Sequence, residues 1–215
     1  MTLTNHQYTL LHDSGNPLVF VGDTVYNHML YNYWQDHKPC LHITIEEAES
    51  YTQGWFNQHQ FICAVSNVAF KREVVSRLNR FNPHYFSIVG SHNSFNRVSI
   101  GQGTYIQHYN DLAFGDGIIG DHCTLGSYLG FSHNVVVGDY CHISGYCFLN
   151  YTTLNDGVVM AVRTTTLGDP DRQIELAENC NFMTGSTVTK SITETGTYFG
   201  NRRVSSESSV SYKVL

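Results

Sequence analysis

A chain of 215 residues with 41% hydrophobic residues is long enough for one large or two small domains and can bury a sizeable core. Its formal net charge of −6, with no basic cluster, argues against nucleic acid as a general partner. With no apolar run of about 18 residues and no signal-type apolar stretch near the first residue, a soluble, cytoplasmic protein without membrane insertion is expected.

In chain order, residues 1–82 read as a small α/β domain. Leu18-Val-Phe-Val-Gly22 is a short apolar strand ending in Gly, followed by a segment from about Val25 to Asp36 that suits a helix. Cys40 to Thr44 and Gln60 to Val65 supply further strands. Asn67 is placed to cap a second helix, with Phe70, Val74, Val75 and Leu78 on one face and Lys71, Arg72 and Arg77 directed to water. Phe81-Asn-Pro83 ends it.

From about His84 a six-residue beat begins, loosely at first through Ile88, Ile100, Ile106 and Leu112. It slips near Gly117, where a bulged corner is expected, and then runs cleanly through Ile119, Leu125, Phe131, Val137, Ile143 and Leu149. Such hexads are short strands, three to a triangular coil of about 18 residues, and each coil buries its apolar side only by stacking on the next. The period therefore predicts a left-handed parallel β-helix over residues 83–201. After Leu149 the phase slips again, and Leu167-Gly-Asp-Pro-Asp-Arg172 reads as a loop thrown out of a coil, since its proline and charges do not suit a stacked strand. Leu176, Phe182 and Val188 resume the beat, and the tail 202–215, rich in Ser, shows no period and is expected to pack on a neighbour or stay mobile.

Four of the six cysteines, Cys123, Cys141, Cys147 and Cys180, stand four places after the lead residue of a hexad, a small inward position where cysteine acts as a buried hydrophobe. No CxxC pair argues for metal or redox chemistry. Of the twelve histidines, His6, His12, His28, His37, His42 and His59 lie in the first domain without a suggestive spacing. His133 is third in its hexad, at a corner, and His142 is last in its hexad, where strand alternation turns it outward. Such a histidine is either a solvated polar residue or part of a site on a face against which another subunit packs.

The stretch from Leu129 through His133 and His142 to Ser144 resembles the signature region of the hexapeptide sugar acyltransferases, the family of nucleotide-amino-sugar N-acetyltransferases and sialic-acid O-acetyltransferases. The likeness extends to Gln60 through Asn67 with the following helix, and to Gly185-Ser-Thr-Val-Thr-Lys190. It implies an acetyl-CoA-dependent acetyltransferase acting on an amino or hydroxyl group of a sugar, with N-acetylation favoured, in surface-glycan biosynthesis. It also implies that the α/β domain of residues 1–82 is Rossmann-like, that the protein is a homotrimer with active sites between subunits, and that no metal is needed. By position, His133 corresponds to the general base, with Asn134 beside it, and His142 to the residue that contacts acetyl-CoA near its thioester. Ala161 and Gly185 are expected along the pantetheine arm, and Gly22 and Asp23 in the turn that receives the sugar substrate.

The chain departs from the family pattern at four places. Asn134 stands where an acidic residue is usual, and Gly22-Asp-Thr-Val-Tyr-Asn27 replaces a Gly-rich segment. Arg163 occupies a place for a small residue, and Gly200-Asn-Arg-Arg203 replaces Gly-Asn-Pro-Ala, so these arginines either meet CoA phosphates or solvate a surface. Two other readings stand beside this one. The histidine content invites a zinc hydrolase or carbonic anhydrase on the same solenoid, although the spacing from His122 to His133 to His142 differs from that of such proteins. The altered glycine turn would also suit a non-catalytic binding or structural module.

Overall fold

The computed structural model describes residues 7–112 and 117–205. Its larger part is the left-handed β-helix that the beat predicts. Strands turn around three parallel sheets, and each coil lies about 18 residues after the one below, as in the pairing of Thr124 with His142 and Leu125 with Ile143. The first face runs from Ser87–Gly90 through Tyr105–Ile106, Thr124–Leu125, His142–Ile143, Val159–Met160 and Asn181–Phe182 to Thr197–Phe199. The second face contains Gly130–Phe131 and Phe148–Asn150, and the third contains Val136–Val137 and Thr152–Leu154.

The hexad works because its lead side chain points inward and meets its counterpart in the next coil. Leu125, Ile143 and Met160 form one such stack, each with no exposed surface. Cys123, Cys141, Cys147 and Cys180 are buried as expected, and each thiol donates to a carbonyl of the coil above, those of Gly138, Asn155, Ala161 and Glu194. The recurrent Gly-Asp dipeptide has a corner role. The Asp139 carboxylate accepts from the Asp121 N–H and the Asp156 carboxylate from the Asp139 N–H, both at 2.8 Å. A Cβ on Gly120 or Gly138 would run into those carboxylates.

The first domain is a four-stranded parallel sheet in the order Cys40–Ile43, Leu18–Val21, Gln60–Ile62, His84–Tyr85. Leu18, Val19, Phe20 and Val21 are wholly buried, as a strand covered on both faces requires. Helix α1 (Val25–Trp34) follows the first of these in sequence, and two short helices, α2 (Ile45–Glu49) and α3 (Gln53–Phe56), precede the third strand. These two are too short for a helical period, and their signal lies in Thr44 and Thr52, which cap them, Thr44 forming a capping box with Glu47. Helix α4 (Val68–Leu78) is capped by Asn67 as expected.

Three features differ from the sequence reading. Lys71 does not reach water: it is fully buried, and its Nζ donates at 2.7 Å to the His122 carbonyl and to Thr124 Oγ1. Helix α4 packs on the α/β sheet through Val74, Val75 and Leu78 and on the first face of the solenoid through Lys71, so the part of its polar side that carries Lys71 is covered while Glu73 and Ser76 stay exposed. The strand Tyr8–Leu11 leaves the α/β sheet and pairs antiparallel with Ser87–Gly90 of the solenoid. Arg202–Ser205, expected as aperiodic tail, forms an antiparallel strand on Thr197–Phe199 and extends the first face. The bulged corner before Ile119 falls on residues 113–116, and the rest of the tail on 206–215, outside the described residues. The loop after Leu167 closes on itself, with Asp169 bridging and ion-pairing to Arg172 at 3.0 Å.

Candidate active site

His133 occupies the corner between the second and third faces, and its side chain is exposed. The corner is held by the coil above: the His133 N–H donates to Asn150 Oδ1 at 3.3 Å, and the His133 carbonyl accepts from the Tyr151 N–H at 2.7 Å. The Tyr151 ring lies against the imidazole with centroids 5.5 Å apart. Asn134 has a left-handed backbone, φ +48°, which asparagine tolerates better than most residues. Its side chain makes no hydrogen bond among the described residues, so in this chain it turns the corner, while Asn150 and Tyr151 brace His133. Asn150 and Tyr151 were not singled out from sequence, yet they stand one coil above, 17 and 18 residues on.

His142 points outward from the solenoid, as alternation requires, but onto the α/β domain. Only 8% of it is exposed. Burial, reinforced by the nearby Lys71 charge, pushes its pKa down to about 3, and the ring is neutral at physiological pH. One ring nitrogen, Nε2, lies 3.1 Å from Ser144 Oγ, and the other, Nδ1, is buried without a hydrogen-bond partner among the described residues. His122, one corner away beneath Tyr140, is likewise held neutral, at about 4, by burial and by Lys71.

The first face of a triangular coil lies opposite the corner between the other two. His133 and His142, nine residues apart, therefore sit on opposite sides of one solenoid. Ala161 and Gly185 lie at the corner where the first face turns into the second. Ala161 is buried, its carbonyl accepting from Cys147 Sγ and Thr164 Oγ1 and its N–H donating to Phe182. Gly185 is exposed with φ +75°, and nothing lies within 4 Å of where a Cβ would stand. Arg163, at the same corner, is exposed with no side-chain partner among the described residues, whereas Arg203 is tied to Glu194 at 2.6 Å and to the Thr195 carbonyl.

The Gly22 turn lies across the first turn of α4 from this face, and a Cβ there would press within 3.2 Å of the Phe70 ring. Gly22 has φ +101°, a backbone that glycine adopts without strain. Its carbonyl is taken by Asn27 Nδ2 and His42 Nε2, while exposed Asp23 faces His28 at 2.6 Å. Thr24 caps α1 by accepting from the Asn27 N–H. Among the described residues, no three His, Cys, Asp or Glu side chains converge as metal ligands. None of the described helices is long and apolar enough to cross a membrane.

The whole architecture has solved counterparts. PerB from Caulobacter crescentus, solved in complex with CoA and GDP-perosamine, matches with a TM-score of 0.71 at 10% identity over 88% of this chain and 95% of that one. WeeI from Acinetobacter baumannii matches at 0.62 and 14% identity over 87% and 98%. The acetyltransferase domain of PglB from Neisseria gonorrhoeae, in complex with acetyl coenzyme A, matches at 0.53 and 12% over 88% and 98%. No family model matches the chain, and no curated protein sequence does. At these identities the likeness establishes the fold.

Proposed function

We propose that this chain is an acetyl-CoA-dependent N-acetyltransferase for a nucleotide-linked amino sugar of surface-glycan biosynthesis, working in the cytoplasm as a homotrimer with its sites between subunits. The observation that carries the reading is the opposition of the two histidines. His133 is exposed on a braced corner and His142 lies on the far face, so a site using both takes His133 from one copy and His142 from another. Solved proteins of this fold, among them one named as a GDP-perosamine N-acetyltransferase, hold CoA and a sugar nucleotide, which points to the same chemistry.

In this reading acetyl-CoA supplies an acetyl group activated as a thioester. His133 accepts the proton that the sugar amine loses as it attacks, a task for which an imidazole near neutral pH suits, and which contributes about 10²- to 10⁴-fold. His142 is neutral, so it offers a single N–H rather than a charge; its Nδ1, covered and unpartnered in the free chain, fits a role as donor to the thioester oxygen once the ring turns outward. Ala161 and Gly185 border the pantetheine arm, Gly185 by leaving open space and Ala161 by its small side chain, and the free guanidinium of Arg163 at this corner suits a CoA phosphate. Asp23 disfavours a phosphate at the Gly22 turn, and there its carboxylate suits a sugar hydroxyl or amine.

Acetyl-CoA at 100 times its dissociation constant is expected to stabilise the protein by about 2.7 kcal/mol. Melting with acetyl-CoA, with acetate and with ATP checks this: a rise confined to acetyl-CoA supports the donor, and no rise at millimolar acetyl-CoA contradicts it.

A further inference from the structure

Apart from Tyr105, which packs against the rings of Tyr8 and Tyr26, two buried polar side chains on the first face lack partners among the described residues, and both stand in one outward column. His142 pairs with Val159 and Val159 with Asn181, so Asn181 lies two coils above His142 on the same side. Asn181 is 8% exposed, and its Nδ2, like His142 Nδ1, has no hydrogen-bond partner among the described residues. A buried donor without an acceptor is uncommon in a native fold and calls for an explanation. An outward strand position two coils from a neutral histidine has no core-packing reason to be asparagine, since the inward neighbour Phe182 supplies the core contact.

We infer that Asn181 is a positioning residue for the acyl donor, its side-chain amide donating to the distal amide carbonyl of the pantetheine arm when the thioester lies at His142. The inference rests on the acetyltransferase reading. Adjacent strands are about 4.8 Å apart, which puts Asn181 about 10 Å along the solenoid from His142. From the thioester sulfur to the distal amide carbonyl is roughly eight bonds, about 9 to 10 Å for a chain extended as a peptide is. The two lengths agree. Val159 between them is half-buried and apolar, as the methylenes between the two amides of the arm require. Turning outward gives the Asn181 amide the acceptor it lacks in the free chain.

The test is Asn181→Leu, of similar volume and without the donor. Calorimetry of the full chain with CoA is expected to show a three- to tenfold weaker dissociation constant, and KM for acetyl-CoA rises by the same factor with kcat unchanged. S-acetyl-N-acetylcysteamine keeps the proximal amide and lacks the distal one, so its KM stays the same. The melting temperature of the variant without ligand stays level or rises, because no buried donor is left unpaired. Unchanged CoA affinity, or an equal loss with both donors, overturns the contact and leaves the acetyltransferase reading standing. A parent chain that binds no CoA overturns both. Should the leucine variant fold poorly, Asn181→Val carries the same comparison.

Discussion

His133→Ala is expected to lower kcat/KM for acetyl transfer by about 10²- to 10⁴-fold, the contribution typical of a positioned general base. The loss should appear in turnover more than in CoA binding, because a general base acts on the attacking amine and not on the pantetheine arm or the CoA phosphates. Stability should change by about 1 kcal/mol or less, since alanine removes the ring contact with Tyr151. His133 is exposed, and its structural hydrogen bonds to Asn150 and Tyr151 are made by backbone atoms that alanine retains. Single-turnover kinetics with calorimetry of CoA binding separate the two effects. A variant with parental turnover removes His133 from the role of base, and one that no longer binds CoA assigns it to the donor site. Asn134→Gly refines the result: it preserves the left-handed corner, so retained activity fits a residue that turns the chain, and a large loss assigns Asn134 to the chemistry.

Acid should unfold this protein unusually early, and the cause is the pair of buried histidines His142, on the first face, and His122, at the corner beside it. His122 and His142 have folded-state pKa values of about 4 and about 3, below the ordinary 6.5, because burial and then the Lys71 charge disfavour the imidazolium. Above pH 6.5 both rings are neutral folded or unfolded and their contribution is constant. As pH falls from 6.5 toward 4, the unfolded chain takes up two protons that the folded chain refuses, so stability drops. One pKa unit corresponds to 1.36 kcal/mol, so two sites give a slope of about 2.7 kcal/mol per pH unit and a loss of about 4 kcal/mol by pH 5. Against a typical total of about 5 to 15 kcal/mol, that is a large share. Urea midpoints at pH 7, 6 and 5 measure the slope, and His122→Gln should remove about half of it. A flat profile between pH 6.5 and 5 would mean that the rings are hydrated in solution.

The β-helix was legible because its period is written in single residues: Leu125, Ile143 and Met160 stack coil on coil, and the cysteines four places after a lead residue fall inward with their thiols aimed at the next coil. The corner identity of His133 was legible for the same reason. Residues acting across coils or between domains were harder to read. Lys71 looked like a solvent residue on an amphipathic helix, since nothing local to 67–78 shows that a second surface covers its polar side. The burial of His142 follows from the same contact, so alternation gave its direction and could not give what it meets. Asn150, Tyr151 and Asn181 become visible only when the sequence is folded on its coil length and read down columns. The short helices α2 and α3 lack a period and are marked only by their threonine caps.

The most direct measurement is acetyl transfer itself: purified protein incubated with acetyl-CoA and a panel of nucleotide-linked amino sugars, following released CoA thiol and the mass of the sugar product. The account predicts acceptor-dependent release of CoA matched by a sugar heavier by one acetyl group on nitrogen, abolished in His133→Ala. No acceptor-dependent release across the panel, with parent and His133→Ala alike, would contradict it.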